Sequence, residues 1–142
     1  MILALADETG VEMKVTSCPE DFARLGFCDD PCFYALLAEQ NGTPVGMCLY
    51  FFSFSSWMGQ RGVYVQDLYV AASQRGTGLG RRLMAETAKI AAQQGASYLR
   101  LSVDRSNVSA QHFYSGIGLN HADNEMIFKA MGDSFKLLKN QY

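Results

Sequence analysis

The sequence has few charges and no long apolar run. No apolar stretch in its 142 residues approaches the ~18 residues that a membrane-spanning helix needs, so we expect no membrane anchor. The opening MILALADE is too short for a signal peptide and lacks the basic flank of one. Charged residues make up only 18% of the chain and hydrophobic residues 49%. That composition excludes intrinsic disorder, which requires low hydrophobicity and high net charge.

Metal ligands and disulfide partners are also scarce. The only histidines, His112 and His121, are far in sequence from the four cysteines, which all lie in the first third of the chain. The cysteines are Cys18, Cys28, Cys32 and Cys48, and no two of them form a CxxC pair. We therefore expect no metal site. Four free thiols in a reducing cytoplasm are the simplest interpretation.

The net charge is small but unevenly distributed. Twelve basic and fourteen acidic residues give −2, so the chain has no general attraction for nucleic acid or an anionic membrane. Residues 1–60 carry eight acids and two bases, whereas residues 61–142 carry six acids and ten bases. The first part suits a cationic ligand and the second an anionic one.

The hydrophobic pattern predicts a single α/β domain over residues 1–142 with a strand–helix–strand core. Asn41-Gly42 predicts a hairpin turn between the first two strands. Helices are predicted at 1–9, Pro19–Phe27, Gly78–Gln94, Asn107–Ser115 and Asp133–Lys139. Strands are predicted at Cys32–Gln40, Val45–Phe54, Val63–Val70, Tyr98–Val103 and His121–Ala130.

A glycine-rich segment between a predicted strand and the longest helix is a candidate phosphate-binding loop. It reads Arg75-Gly76-Thr77-Gly78-Leu79-Gly80 and is followed by Arg81. Glycines allow backbone amides to approach a ligand, and a helix N-terminus favours negative charge. The segment is not a P-loop, which ends in Gly-Lys-Ser/Thr, nor a dinucleotide fingerprint, which needs glycine at position 81. A flexible loop that serves helix packing is the alternative.

Two motifs together resemble the GNAT acetyltransferase superfamily. The first is Arg75-x-x-Gly78-x-Gly80, and the second is Asn107-x-x-Ala110-x-x-x-Tyr114. The resemblance covers roughly residues 32–130. The aromatic stretches 50–57 and 64–70 are similar to those of the diamine (spermidine/spermine) and thialysine acetyltransferases. This implies the GNAT fold, a mixed central sheet flanked by helices. Because the chain starts inside the first helix, we expect the sheet to lack its first edge strand.

The resemblance also implies a cofactor site for acetyl-CoA, used as a co-substrate without a metal. Backbone groups of Leu68, Tyr69 and Val70 would pair with the pantetheine arm. The loop would hold the phosphates, and Asn107 and Ala110 would complete the site. Asn107 can equally be only a helix cap. The loop residues concerned are Arg75, Gly76, Thr77, Gly78, Leu79, Gly80 and Arg81.

By the same resemblance, Tyr114 is the general acid that protonates the departing CoA thiolate. A phenol with a pKa near ~10 stays protonated at neutral pH and can donate to a thiolate. Asn107, Ala110 and Tyr114 are spaced i, i+3 and i+7, so they share one helix face. The alternative is a structural tyrosine that buries its ring.

Gln66, Asp67 and Trp57 are the candidate substrate-binding residues. Asp67 could accept the amine's proton through water, or it could be an ordinary strand acid. Trp57 could offer an aromatic wall to a cation, although such residues are more often strand core. The polyamine-acetylating relatives have Glu where this chain has Gln66. We therefore expect a short diamine or a lysine-like amino acid to be preferred over spermine.

The sequence thus predicts an enzyme that moves acetyl from acetyl-CoA to a primary amine of a small molecule by direct attack. Two alternatives stay open. One is acetylation of protein N-termini or lysines, and the other is a non-catalytic CoA-binding regulatory module, against which the presence of Tyr114 argues. The resemblance to the diamine group also predicts a homodimer.

Overall fold

A computed structural model describes residues 1–10 and 15–140 of the chain. The chain divides into two compact units, 1–108 and 109–142, so the expected single domain stays a prediction. The helices are α1 (Ile2–Glu8), α2 (Pro19–Gly26), α3 (Leu79–Gln93), α4 (Val108–Gly116) and α5 (Asp133–Lys139). The strands are β1 (Tyr34–Gln40), β2 (Thr43–Ser55), β3 (Gln60–Val70) and β4 (Ala96–Leu101), and a 3₁₀ turn spans Ala72–Gln74.

The four strands form one mixed sheet in the order β1-β2-β3-β4. β1 pairs antiparallel with β2, and β2 pairs antiparallel with β3. β3 and β4 are parallel, and α3 is the crossover between them. In the part of the chain that the structure describes, the first strand follows both N-terminal helices. The expected α/β architecture with a mixed central sheet is therefore confirmed.

Asn41 and Gly42 form the β1–β2 hairpin turn that the sequence predicts. Both residues have positive φ angles, +54° for Asn41 and +76° for Gly42. A two-residue turn of this hand matches the twist of the flanking strands, and Asn-Gly is the pair that adopts it most readily. The two antiparallel strands consequently stay in one defined register along most of β1.

Helix α3 packs one stripe of side chains on the sheet. Leu83, Thr87 and Ala91 recur every fourth residue and are buried, as the period of an α-helix requires. Facing strands contribute Cys48 and Val63, both without solvent exposure. This layer is the hydrophobic core of residues 1–108. Among the described residues, no helix is long and apolar enough to cross a membrane.

The predicted strand at His121–Ala130 is wrong. The segment contains a turn, in which Glu125 N donates to Ala122 O, and no described strand pairs with it. Three of its apolar side chains, Met126, Ile127 and Phe128, are exposed. β-branched and aromatic residues favour a strand only when a neighbouring strand accepts their backbone hydrogen bonds. Local composition therefore could not decide this segment.

The other predicted elements are confirmed, with shifted ends. The turn between the second and third strands is shorter than the predicted strand bounds imply, because β2 extends to Ser55 and β3 already begins at Gln60. The strand expected at Tyr98–Val103 runs two residues earlier, from Ala96 to Leu101. Helix α5 has the predicted bounds.

Candidate active site

Strand β3 is paired on both sides along its first half and on one side along its second half. Its pairing with β4 runs from Arg61 to Val65 and stops where β4 ends, at Leu101. Its pairing with β2 continues to Val70. Residues 66–70 therefore have an open edge toward the β4 side within the described chain. We call this opening, between residues 66–70 and the end of β4, the fork.

A β-bulge marks the start of the fork. Val65 pairs with Tyr50 and Asp67 pairs with Leu49, so Gln66 has no residue opposite it. An extra residue in one strand bends that strand, increases its twist and redirects its side chains. Gln66 is exposed at this point. Gln66 and Asp67, which the sequence predicts at the site, are thus the two residues at the bend.

The hydrogen bonds between β2 and β3 show which way the backbone N–H and C=O of each residue along the fork point. Ala71 N donates to Val45 O at 2.9 Å. In an antiparallel pair every second residue turns its N–H and C=O toward the neighbour. Tyr69 therefore turns these groups toward β2, whereas Leu68 and Val70 turn theirs toward the fork. A ligand in the fork would meet an edge that can pair with it as a strand does.

Asp67 and Tyr64 lie on the sheet face opposite α3. A Cβ at Gly46 would be 3.0 Å from Leu83 Cδ1, so Gly46 faces α3. Strand alternation then places Leu49 and Phe51 on the other face. Their partners across the ladder are Asp67 and Tyr64.

The Asp67 carboxyl is half-buried and makes no hydrogen bond or ion pair with the described residues. Burial raises its pKa above the ordinary value of 3.8, because the charged form loses hydration. A carboxylate in this condition favours any ligand that supplies a positive charge or a hydrogen-bond donor. It is also a suitable proton acceptor, since its basicity is higher than that of a solvated carboxylate.

The glycine loop leads from the end of β3 into α3 as the sequence predicts. Gly78 is the N-cap residue of α3 and has a φ of +84°, a left-handed conformation that side chains strain. A Cβ there would meet nothing within 4 Å. The first intrahelical bond is donated by Arg82 N to Gly78 O, and the amides of Leu79 and Gly80 precede it. Such amides at a helix start favour an anion.

Arg75 is held by groups of the protein itself. Its Nε donates to Val70 O at 3.0 Å, and its guanidinium pairs with the Glu8 carboxylate of α1. The side chain therefore ties the loop to the last residue of β3 and to α1. Its predicted contact with the cofactor stays a prediction. Thr77 Oγ1, for its part, donates to Gln74 O at 2.7 Å.

The second motif begins in the turn after β4 and continues in α4. Asp104 organises the turn by accepting from Ser106 N and Ser106 Oγ, and Asn107 N donates to Asp104 O at 2.9 Å. Ala110 and Tyr114 lie four residues apart on α4, so they share a helix face. The half-buried Tyr114 ring packs edge-on against Phe113, with ring centroids 5.1 Å apart.

Trp57 lies away from the fork. It is 98% exposed in the turn between β2 and β3, and β3 rises about 20 Å from Gln60 to Asp67. The structure therefore does not bring Trp57 to Asp67, and its part in substrate binding stays a prediction. No group of three His, Cys, Asp or Glu side chains in the described ranges could hold a metal ion.

The sequence analysis does not predict two contacts beside the fork, a pair of stacked aromatic rings and a hydrogen bond between two side chains. The Phe51 and Tyr64 rings stack with centroids 5.1 Å apart, and Tyr64 Oη donates to Ser102 Oγ at 2.7 Å. The aromatic residues of the two strands are visible in the sequence. Their partners depend on the register of three strands, for which the sequence offers no local signal.

The family model of the GNAT acetyltransferase family matches residues 2–119. The chain belongs to the GNAT acetyltransferase family. It is 32% identical over 149 aligned positions to the thialysine N-epsilon-acetyltransferase of Bos taurus, covering 97% of this chain and 87% of the relative. It is 30% identical over 113 positions to the spermidine/spermine N(1)-acetyltransferase-like protein 1 of Homo sapiens, covering 75% of this chain and 16% of the relative.

A solved structure shares the fold of this chain. An integron cassette protein from the mobile metagenome of V. cholerae superposes with a TM-score of 0.81 at 22% identity, covering 99% of this chain and 87% of that one. The resemblance that the two motifs predict is therefore confirmed. The chain is a GNAT acetyltransferase related to the thialysine and polyamine acetyltransferases, a family that uses acetyl-CoA.

Proposed function

We propose that this GNAT domain transfers acetyl from acetyl-CoA to the primary amine of a small cationic molecule, a short diamine or a lysine-like amino acid. The observation that carries the proposal is the fork, a strand edge without a β4 partner that is followed, after the 3₁₀ turn at Ala72–Gln74, by a glycine loop at a helix N-terminus. Acetyl-CoA has the chemistry to match both, because the amides of its extended arm can pair with the strand edge and its phosphates can bind at the glycine loop.

In this proposal acetyl-CoA lies along β3. The Leu68 N–H and C=O and the Val70 N–H form hydrogen bonds with the pantetheine amides, since Val70 O already accepts from Arg75 Nε, and Tyr69 lies between them in the same strand segment. The loop amides hold the pyrophosphate, with Arg81 contributing charge, and the resemblance to the family adds Asn107 and Ala110 as cofactor-binding residues. The left-handed Gly78 supports this arrangement, because its open α-carbon leaves space for a phosphate.

Asp67 is the residue we assign to the amine. A substrate amine with a pKa near ~10 arrives as an ammonium ion and must lose a proton before attack. The partly desolvated Asp67 carboxylate attracts the ammonium and accepts this proton through water. Gln66 supplies no second charge at the bend, which supports a short substrate over a long polycation.

The transfer is a direct attack. The neutral amine nitrogen forms a C–N bond to the thioester carbonyl carbon, the C–S bond breaks, and the electron pair leaves with sulfur. Nitrogen loses two protons in all: the first leaves the ammonium through Asp67 before attack, and the second leaves after the C–N bond has formed. Tyr114 protonates the departing thiolate, and the second proton from nitrogen restores the Tyr114 hydroxyl through solvent. No covalent enzyme intermediate is required. The reaction therefore needs one acceptor and one donor of a proton, and Asp67 and Tyr114 supply them.

The proposal has two further parts, a cytoplasmic location and a homodimer. The cysteines are unpaired, which suits a reducing compartment such as the cytoplasm. The homodimer rests on the resemblance to the diamine acetyltransferases alone, and light scattering of the purified protein measures it directly.

The proposal is tested by thiol release from acetyl-CoA with short diamines, lysine-like amino acids, spermine and peptides as acceptors. We expect turnover with the first two classes. Gly78→Ala should raise the KM for acetyl-CoA at least several-fold. Gly95→Ala is the matched control, because Gly95 also has a left-handed φ of +81° and open space at its Cβ, but lies at the other end of α3. Both variants carry about 1–2 kcal/mol of backbone strain.

Tyr114→Phe completes the test. We expect kcat to fall ~10²–10⁴-fold while the KM for acetyl-CoA stays close to wild type, because only one hydroxyl is removed. Preferred turnover of peptides would indicate protein acetylation instead. Binding of CoA without turnover of any amine would indicate a regulatory module. Equal effects of Gly78→Ala and Gly95→Ala would assign the loop to packing alone.

A further inference from the structure

Tyr64 and Ser102 are joined by a hydrogen bond at the point where β3 and β4 stop pairing. The last two backbone pairs are Tyr64 with Arg100 and Val65 with Leu101. Ser102 is the next residue of the chain, beyond the end of β4. Its Oγ accepts from Tyr64 Oη at 2.7 Å. This side-chain hydrogen bond connects β3 to the first residue after β4, where the backbone hydrogen bonds between the two strands have ended.

The Tyr64 hydroxyl is in a fixed position, because its ring is held on the sheet. The ring stacks on Phe51, with an angle of 22° between the ring planes, and is half-buried. Both residues lie on the face that carries Asp67. The bond therefore fixes Ser102, which has no ladder partner in β3, to a rigid point on β3.

We propose that Tyr64 is a positioning residue that sets the width of the fork by holding Ser102. This inference rests on the proposed function, since it gives the fork its role in binding acetyl-CoA. The chain after Leu101 forms the wall of the fork opposite Leu68 and Val70. A ligand that pairs with these two residues fits only when that wall is at one distance from them. A wall held before binding loses less conformational freedom when the ligand arrives.

The same sheet face offers a matched control. Ser53 and Tyr98 also form a hydroxyl–hydroxyl hydrogen bond, with 3.2 Å between the two oxygens. Gly62 pairs with both Ser53 and Tyr98, so this bond lies in the closed half of the β3–β4 pair. The two Tyr–Ser bonds thus have the same chemistry and differ in their distance from the fork and in burial, since the Tyr64–Ser102 bond is exposed and the Ser53–Tyr98 bond is part-buried.

The experiment compares steady-state kinetics of Tyr64→Phe, Ser102→Ala and Tyr98→Phe at a saturating concentration of the amine. We expect Tyr64→Phe and Ser102→Ala each to raise the KM for acetyl-CoA about three- to tenfold, the range that one hydrogen bond contributes. The double variant should be no worse than either single variant, since both remove one bond. Ser102→Thr keeps the hydroxyl and should restore the wild-type KM. Tyr98→Phe should leave the KM unchanged.

Thermal unfolding of each variant separates positioning from folding, because Tyr64→Phe, which removes an exposed bond, should lower Tm no more than Tyr98→Phe, which removes a part-buried one. The inference is overturned if Tyr64→Phe and Ser102→Ala keep the wild-type KM, if their effects add, or if Tyr98→Phe raises the KM equally. An absence of acetyl-CoA turnover by the wild type would instead overturn the proposed function, so the two failures are distinguishable.

Discussion

The two halves of β3 differ in what surrounds them and in what they can do. In the half from Arg61 to Val65, strands pair on both sides, and Val63 and Val65 are buried against the α3 layer. In the half from Gln66 to Val70, only β2 pairs, and the half-buried Asp67 carboxyl has no partner among the described groups. One continuous strand therefore has a half that stabilises the sheet and a half that leaves polar groups available.

The difference arises from strand length and from the bulge rather than from residue type. β4 is six residues long and β3 is eleven, so five residues of β3 extend beyond their parallel partner. The bulge at Gln66 lies at this boundary. Binding residues placed just beyond a rigid, fully paired segment are held in position without being covered by it. The comparison predicts that substitutions in the open half change activity and substitutions in the closed half change stability.

The largest effect is expected for Asp67→Asn. We expect kcat/KM for the amine to fall ~10²–10⁴-fold, because the amide neither attracts the ammonium nor accepts its proton. The KM for acetyl-CoA should stay within about twofold of wild type, a difference of about 0.4 kcal/mol. Initial rates with each substrate varied in turn measure both quantities. Asp7→Asn on α1, an exposed acid, is the control. If Asp67→Asn had wild-type amine kinetics, Asp67 would have no part in the reaction, and the prediction for the open half would be wrong.

The second prediction concerns the closed half. Val63→Ala should destabilise the fold by about 2–3 kcal/mol, because Val63 is fully buried and two methyl groups are lost into a cavity. For a chain of this size that lowers Tm by about 5–10 °C. Below the transition, the KM values of the variant should match those of wild type.

The exposed Val108 supplies the matched control for this substitution, and Val108→Ala should change stability by no more than about 0.5 kcal/mol. Calorimetry and the kinetic assay are run on both variants. A raised KM for acetyl-CoA in folded Val63→Ala protein would show that the two halves are not separable.

The same contrast explains what the sequence could predict. The period of Leu83, Thr87 and Ala91, the Asn41-Gly42 turn and the loop glycines are local patterns, and the structure has helix α3, the hairpin and the left-handed Gly78 where those patterns predict them. The motifs also placed Gln66 and Asp67 at the site through the resemblance to the family, a role that stays a prediction.

The features that the sequence analysis missed depend on how distant segments meet. The bulge at Gln66 follows from the register between two strands, and the fork from the point where β4 ends. The ion pair of Arg75 with Glu8 joins residues 67 positions apart. The wrong strand at 121–130 has the same cause, since apolar composition indicates a strand without indicating whether a partner is present.

The smallest predicted effect is a change in the stability of the fold. It tests whether Asp67, in the open half of β3, makes the folded protein less stable. Burial raises the pKa of Asp67, so its protonated form is favoured in the folded state. The folded protein then binds more protons than the unfolded chain above pH 3.8, and stability is lost as the pH rises through the folded pKa. Asp67→Asn removes the charge and should be more stable than wild type at neutral pH, by less than the change at Val63.

Thermal unfolding of both proteins from pH 4 to pH 8 measures this difference. The Tm of Asp67→Asn minus that of wild type should grow as the pH rises from the acid end and become constant once wild-type Asp67 is fully ionised. Asp7→Asn, a substitution at an exposed position of α1, is measured in parallel as the control. If Asp67→Asn were less stable than wild type at every pH, the carboxylate would be a stabilising group, and the open half would not differ from the closed half in the way proposed.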